Sequence, residues 1–220
     1  MLKTVLRRLR RKQDKPLPAP VQDPTIPFDA NGNRIRLPDG LSSQPGFHLT
    51  IEGRDNYLDI QGPTNIGHLT AHLGGGAHVV IGPGCLLPHL QIYASAGSVV
   101  LIGSHVSANG FLGLFAHEPR QIIIGSGCLL AGGVTISVSD AHSILDAKTG
   151  ERLNRGRDVL VGDHVWLGQD ARILKGVRIG NGSVIGSHAI VTRRIPPNSV
   201  AAGNPARVVR RGVRWVHELL

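Results

Sequence analysis

Eleven histidines are the residues of this chain best suited to chemistry near neutral pH. An imidazole titrates there, and it can take a proton from a hydroxyl or hold a metal ion. Spacing separates them. His105, His164 and His188 each fill the fourth place of a six-residue phrase, as in I-G-S-H at 102–105 and again at 185–188, and read as exposed corner residues. His68 and His72 are four apart, but in a stretch of strand and corner character, so they do not share a helical face as zinc ligands would. His142 differs. It lies six residues after Ile136, where an aliphatic residue is due, inside S-V-S-D-A-H-S-I. A neutral imidazole at that point serves either as a general base or as a loop histidine satisfied by backbone groups, and position alone leaves both open. Asp140, two residues earlier, can orient the imidazole if the segment stays extended.

The elements that must position these groups show in a six-residue period. Val161, Leu167, Ile173, Ile179, Ile185 and Val191 fall at strict six-residue steps, and glycine follows four of them. Val165, Ala171, Val177, Ser183 and Ala189 fill a second, small slot. The phrase recurs upstream at Ile124, Leu130 and Ile136. Neither a helical face nor plain strand alternation gives this period; it predicts an all-β, hexapeptide-repeat parallel β-helix with aliphatics inward and glycine or polar residues at the corners. With three hexads to a coil, 124/130/136 lie beneath 161/167/173, and these beneath 179/185/191. Two gaps predict loops, at 108–122 and at 140–160. The second leaves the helix at a corner beside His142, and loops on rigid scaffolds are where chemistry usually sits.

Composition bounds the rest. With 29 glycines against four Phe, two Tyr and two Trp, the core is narrow and stacked. The formal charge is +9, of which residues 1–15 carry +6 (seven Lys or Arg against Asp14). A second basic cluster comprises Arg193, Arg194, Arg207, Arg210, Arg211 and Arg214. No stacking aromatics interleave either cluster, which argues against nucleic acid as a partner. Leu2, Val5, Leu6 and Leu9 form an apolar stripe on a basic helix, favoured here as solvated or partner-packed over lying on an anionic membrane. Pro16, Pro18, Pro20, Pro24 and Pro27 mark a stiff linker, and residues 28–37 a turn or hairpin. The expected organisation is an N-terminal segment at 1–46, a β-helix domain at 47–205 and a short helix at 206–220. Cys85 and Cys128 occupy matching small slots and read as buried thiols, compatible with a reducing cytoplasm. No apolar run suits a membrane span or signal peptide.

Residues 102–210 resemble the left-handed β-helix, hexapeptide-repeat acyltransferases that use coenzyme A thioesters, most closely the bacterial polysaccharide O-acetyltransferases, including those acting on sialic acid capsules. The resemblance is carried by S-D-A-H-S-I (139–144), V-G-D-H-V-W-L-G (161–168), I-L-K-G-V-R-I-G (173–180), V-I-G-S-H-A-I-V-T-R (184–193) and A-A-G-N-P-A-R-V-V-R (201–210). It implies that His142 is the catalytic base and that Trp166 lines the acetyl-transfer channel. It implies main-chain contacts of Gly168 and Ser187 with the pantetheine arm, and places Thr192, Arg193, Arg207 and Arg210 around the adenosine and its phosphates. Ser187 and His188 depart from the family's usual Ala or Gly. The resemblance further implies acetyl-CoA as cosubstrate, no metal, a saccharide hydroxyl as acceptor, and a homotrimer with coenzyme A between neighbouring β-helices. The location it implies is cytoplasmic, with residues 1–15 available to the inner membrane face. Two rivals share the fold: N-acyltransferases of amino sugars or small amines, and γ-class carbonic anhydrases that bind zinc through three histidines. The corner placement of His105, His164 and His188 argues against the zinc enzyme.

Overall fold

A computed structural model describes residues 22–220. The basic apolar stripe of residues 1–15 and the prolines at 16, 18 and 20 lie outside them. Each hexad folds for local reasons. The first residue points inward, and the glycine behind it lets the next coil pass: a Cβ on Gly125 would lie 2.5 Å from the carbonyl carbon of Gly162. The fourth residue turns the corner in the left-handed region. His105, His164 and His188 do so with φ of 55°, 52° and 57°, a conformation in which histidine is several-fold enriched among non-glycine residues.

The stacked coils form a parallel solenoid. A seven-stranded sheet makes the first face, from Arg34–Arg36 at one end to Arg178–Ile179 at the other. A thirteen-stranded sheet bends over the second and third faces. Register follows the three-hexad coil. Ile124 pairs with Val161 and Val161 with Ile179. Leu130, Leu167 and Ile185 align on the second face, and Ile136, Ile173 and Val191 on the third. All nine side chains are at most 3% exposed, so each ladder rung buries nearly a full aliphatic side chain. Leu167→Ala is therefore expected to cost about 2–5 kcal/mol, read as a lower urea midpoint with unchanged slope.

Three expectations are corrected. The stretch 108–122 is not a loop: Phe111–Ala116 is a third-face strand, paired with Leu86–Ala94 and Val134–Ser137. Its inward Leu112 and Leu114 bury completely, and only His117–Arg120 turns outward. The folded unit also starts well before residue 47. Arg34–Arg36 pairs with Tyr57–Asp59, because Arg36 bridges Asp59 at 2.7 Å and Asp23 at 2.9 Å. Ile26 joins a second apolar cluster on the outer side of the first face with Val80, Leu101, Ile123 and Leu160. Residues 206–220 form no helix. Arg207–Arg211 is a strand, antiparallel to Ser199–Ala202, because continuing that sheet pairs the backbone groups that the sheet edge and the ends of a short helix would leave open.

Both cysteines are buried as expected, each with Sγ 3.2 Å from carbonyl oxygens of neighbouring corners. Burial pushes the Cys128 thiol up to about 12. Since the thiolate is the reactive form, neither cysteine should be alkylated by iodoacetamide at pH 8 in the folded protein, with both modified in urea; mass spectrometry reads the difference. Among the described residues no helix is long and apolar enough to cross a membrane.

Candidate active site

The chain leaves the solenoid after Val134–Ser137 and rejoins it at Val159–Val161. The base of the excursion is closed by the Arg157 amide donating to the Val138 carbonyl at 2.9 Å. Its tip is a tight turn, with the Asp146 amide on the Glu151 carbonyl and Leu145 bridged to Arg152. Between base and tip stands His142, with its imidazole exposed. Its amide donates to the Asp140 carbonyl at 2.7 Å, and its carbonyl accepts from Asn154 Nδ2 at 2.8 Å. The main chain is thus held while the ring stays available.

Asp140 does not reach that ring. Ala141 has φ of 62°, so the segment is not extended and the alternation that would align the two side chains is lost. The Asp140 carboxylate instead accepts from Lys175 Nζ and from Asn154 Nδ2. Lys175, the first of these, holds it below the usual carboxylate range. Asn154 is the hub: besides Asp140 and the His142 carbonyl, its Oδ1 accepts from the Ile144 amide at 2.7 Å.

A second clamp lies one coil away. Glu118 accepts from Ser139 Oγ at 2.6 Å, Arg152 Nη2 at 2.5 Å and the Gly156 amide at 3.1 Å. Arg152 first, then Ser139, lowers its carboxyl to about 2. Next to it, His117 is partly buried against Tyr93 and Phe115. Burial, and then the neighbouring His142, hold its imidazole below the usual range. Sequence reasoning missed Glu118, Asn154, Arg152 and Lys175. The one available signal was that the coil register sets Phe115 beside Ser137, and so carries Glu118 to the point where the loop departs.

Trp166 points outward from the second-face strand Trp166–Leu167, whereas His142 stands in the loop that leaves the third face after Val134–Ser137. Gly168 is a packing glycine here. Its amide donates to the Ile185 carbonyl at 2.8 Å, and a Cβ would lie 2.6 Å from the Ser187 nitrogen. Ser187 is exposed at the same corner, and Thr192 and Arg193 are exposed at the end of the third face. Arg207 and Arg210 project from the terminal strand. None of Arg193, Arg207 and Arg210 has an acidic partner among the described residues. Guanidinium groups left in that state suit a phosphate. No group of three or more His, Cys, Asp or Glu among the described residues is placed to hold a metal ion.

A model of the bacterial transferase hexapeptide family (six repeats) matches residues 158–193. The polysialic acid O-acetyltransferase of Escherichia coli O1:K1 is 30% identical over 125 residues, 57% of this chain and 40% of that protein. Galactoside O-acetyltransferase of Escherichia coli K12 is 41% identical over 121 residues, 54% of this chain and 57% of that one. The chain thus spans about half the length of these curated relatives. The crystal structure of the polySia-specific acetyltransferase NeuO superimposes with a TM-score of 0.71 at 30% identity, covering 79% of this chain and 86% of that one. Inward aliphatics at six-residue steps, a family model matched on that ladder and a solved relative at 30% identity covered over 86% of its length agree: the chain belongs to the hexapeptide-repeat transferase family.

Proposed function

We propose that the protein transfers an acetyl group from acetyl-CoA to a hydroxyl of a saccharide, with His142 as general base. The observation that carries this reading is the exposed imidazole of His142 on a main chain held by Asn154, where the hexad ladder breaks. Relatives named for O-acetylation of polysialic acid and of galactosides supply the acceptor class. When bound, acetyl-CoA supplies an acyl carbonyl open to attack and a thiol leaving group. His142 takes the proton of the acceptor hydroxyl as that oxygen attacks, a contribution of roughly 10²–10⁴ in rate. Direct transfer needs no acylated residue. Arg193, Arg207 and Arg210, with Thr192, hold the adenosine phosphates, and Ser187 lines the pantetheine arm.

The same reading makes the enzyme a homotrimer. With His142 on the loop after the third face and Trp166 on the second face, a site using both closes between His142 of one chain and Trp166 of the next. Ile144, Leu145 and Leu153, 58%, 55% and 62% exposed on the loop, offer apolar surface for that contact. Residues 1–15 would meet an anionic surface at the cytoplasmic membrane face weakly and in a salt-sensitive way.

The test is transfer from acetyl-CoA to a panel of neutral and acidic saccharides, scored by product mass. Hydroxylamine then separates an ester, which it cleaves, from an amide, which survives; a surviving product would make the enzyme an N-acyltransferase. For donor binding, replacing Arg207 and Arg210 together by alanine should raise the KM for acetyl-CoA about tenfold with little change in kcat, since phosphates remote from the reacting carbon contribute uniform binding. An unchanged KM would leave these arginines as surface charge.

A further inference from the structure

The segment after Arg207–Arg211, expected as a helix, turns back and brings Trp215 beside Trp166. Gly212 reverses direction with φ of 71°, and the Val213 amide donates to the Asn198 carbonyl at 3.0 Å. Trp215 then lies flat on His164, with ring centroids 4.0 Å apart and planes 4° from parallel. Each ring also holds the other residue's main chain. Trp215 Nε1 donates to the His164 carbonyl at 2.9 Å, and His164 Nε2 meets the Trp215 carbonyl at 3.1 Å, an arrangement that calls for the Nε2–H tautomer. The clasp leaves Trp215 7% exposed. Its indole faces that of Trp166 at 6.1 Å and 52°.

Trp166 needs such a neighbour. It projects outward from a strand of two residues and is 39% exposed. Above and below it in the ladder are Leu129 and Val184, which offer no ring to pack against. Among the described residues, the indole of Trp215 is the only aromatic ring in contact with it. The corner itself does not require the clasp. His188 makes the equivalent turn with φ of 57° and has no tail folded over it.

We propose that Trp215 is a positioning residue: held by His164, it fixes the indole of Trp166 in the orientation used in acetyl transfer. This rests on the reading of Trp166 as a site residue. The C-terminal tail then belongs to the active site, and in the trimer it shapes the site that receives His142 of the neighbouring chain.

The chain contains two tryptophans, so any Trp215 variant reports on Trp166 alone. Trp215→Leu keeps apolar bulk without the ring, and Trp215→Phe keeps a ring that can stack. His164→Asn cuts the stack from the other side while tolerating the corner's positive φ, and serves if a Trp215 variant misfolds. In Trp215→Leu, acrylamide should quench Trp166 more strongly and its near-UV circular dichroism should fade, with both largely restored in Trp215→Phe. In the acetyl-transfer assay kcat should fall about 3- to 10-fold in Trp215→Leu, the worth of one aromatic pair. The double variant Trp166→Ala/Trp215→Leu should be no slower than Trp166→Ala alone, because one residue acts through the other. An unchanged Trp166 spectrum in Trp215→Leu, or losses that simply multiply in the double variant, overturns the proposal. Full activity in Trp166→Ala would instead remove Trp166 from the site, and the spectra would still decide whether Trp215 holds it.

Discussion

His142→Ala is expected to leave a folded solenoid whose acetyl transfer is slower by roughly 10²-fold or more. The two halves of that expectation have separate grounds. Stability should hardly change, because the imidazole is exposed and the loop is held through the main chain: the His142 amide and carbonyl make the bonds to Asp140 and Asn154. An alanine keeps both. Rate should fall because a sugar hydroxyl is a poor nucleophile until a base takes its proton during attack, and the titratable side chains beside His142 are engaged elsewhere. His117 next door is partly buried and packed against Tyr93 and Phe115, and the Asp140 carboxylate is engaged by Lys175 and Asn154. Turnover at saturating acceptor and donor, together with the melting temperature, reads both halves. Equal turnover in the variant and the parent would remove His142 from the mechanism.

What the sequence made legible follows from periodicity. Inward aliphatics repeat every six residues because one residue per hexad enters the core, so ladders such as Leu130–Leu167–Ile185 can be placed in register without coordinates. His142 stood out for the same reason, as a polar residue at an aliphatic place. The strand Phe111–Ala116 went unseen although Ile102, Ala108 and Leu114 continue the six-residue step. Its outward Phe111 and Phe115 and the following H-E-P-R resemble a loop, and the outer face of a coil obeys no repeat. The clamps around His142 are harder still. Glu118 and Ser139 are 21 residues apart, Glu118 and Arg152 34, and Asp140 and Lys175 35. They meet only because coils stack and a loop folds back, and hydrogen bonds of that kind leave no periodic trace. Asp140 shows the opposite failure: its spacing from His142 was suggestive, but one left-handed residue, Ala141, turned its side chain to other partners.

Glu118→Gln tests whether the clamp positions the base. The amide is nearly isosteric but carries no charge, and it has one acceptor oxygen where Glu118 uses two. Arg152, Ser139 and the Gly156 amide then compete for it, and charge-assisted bonds, roughly twice as strong as neutral ones, are lost. Every inward aliphatic of the solenoid is untouched, so global unfolding should change little. The loop should loosen instead. A displacement of about 1 Å at a reacting group can cost on the order of 10²-fold, so kcat should fall ten- to a hundredfold with a smaller change in the KM for acetyl-CoA. The parent should show a matching pH signature. Its Glu118 carboxyl is lowered from an ordinary value of 4.5 to about 2. A lowered carboxyl favours the clamped loop wherever it is ionised above the ordinary value, and that contribution fades as the pH falls through about 2. Asp140, lowered chiefly by Lys175, acts in the same direction. Pepsin, offered the exposed Leu145 and Leu153 of the loop, should therefore nick the parent slowly at pH 4 and faster near pH 2, whereas Glu118→Gln should be nicked readily at both. A variant as resistant as the parent at pH 4, with unchanged kcat, would show that the loop holds His142 without Glu118.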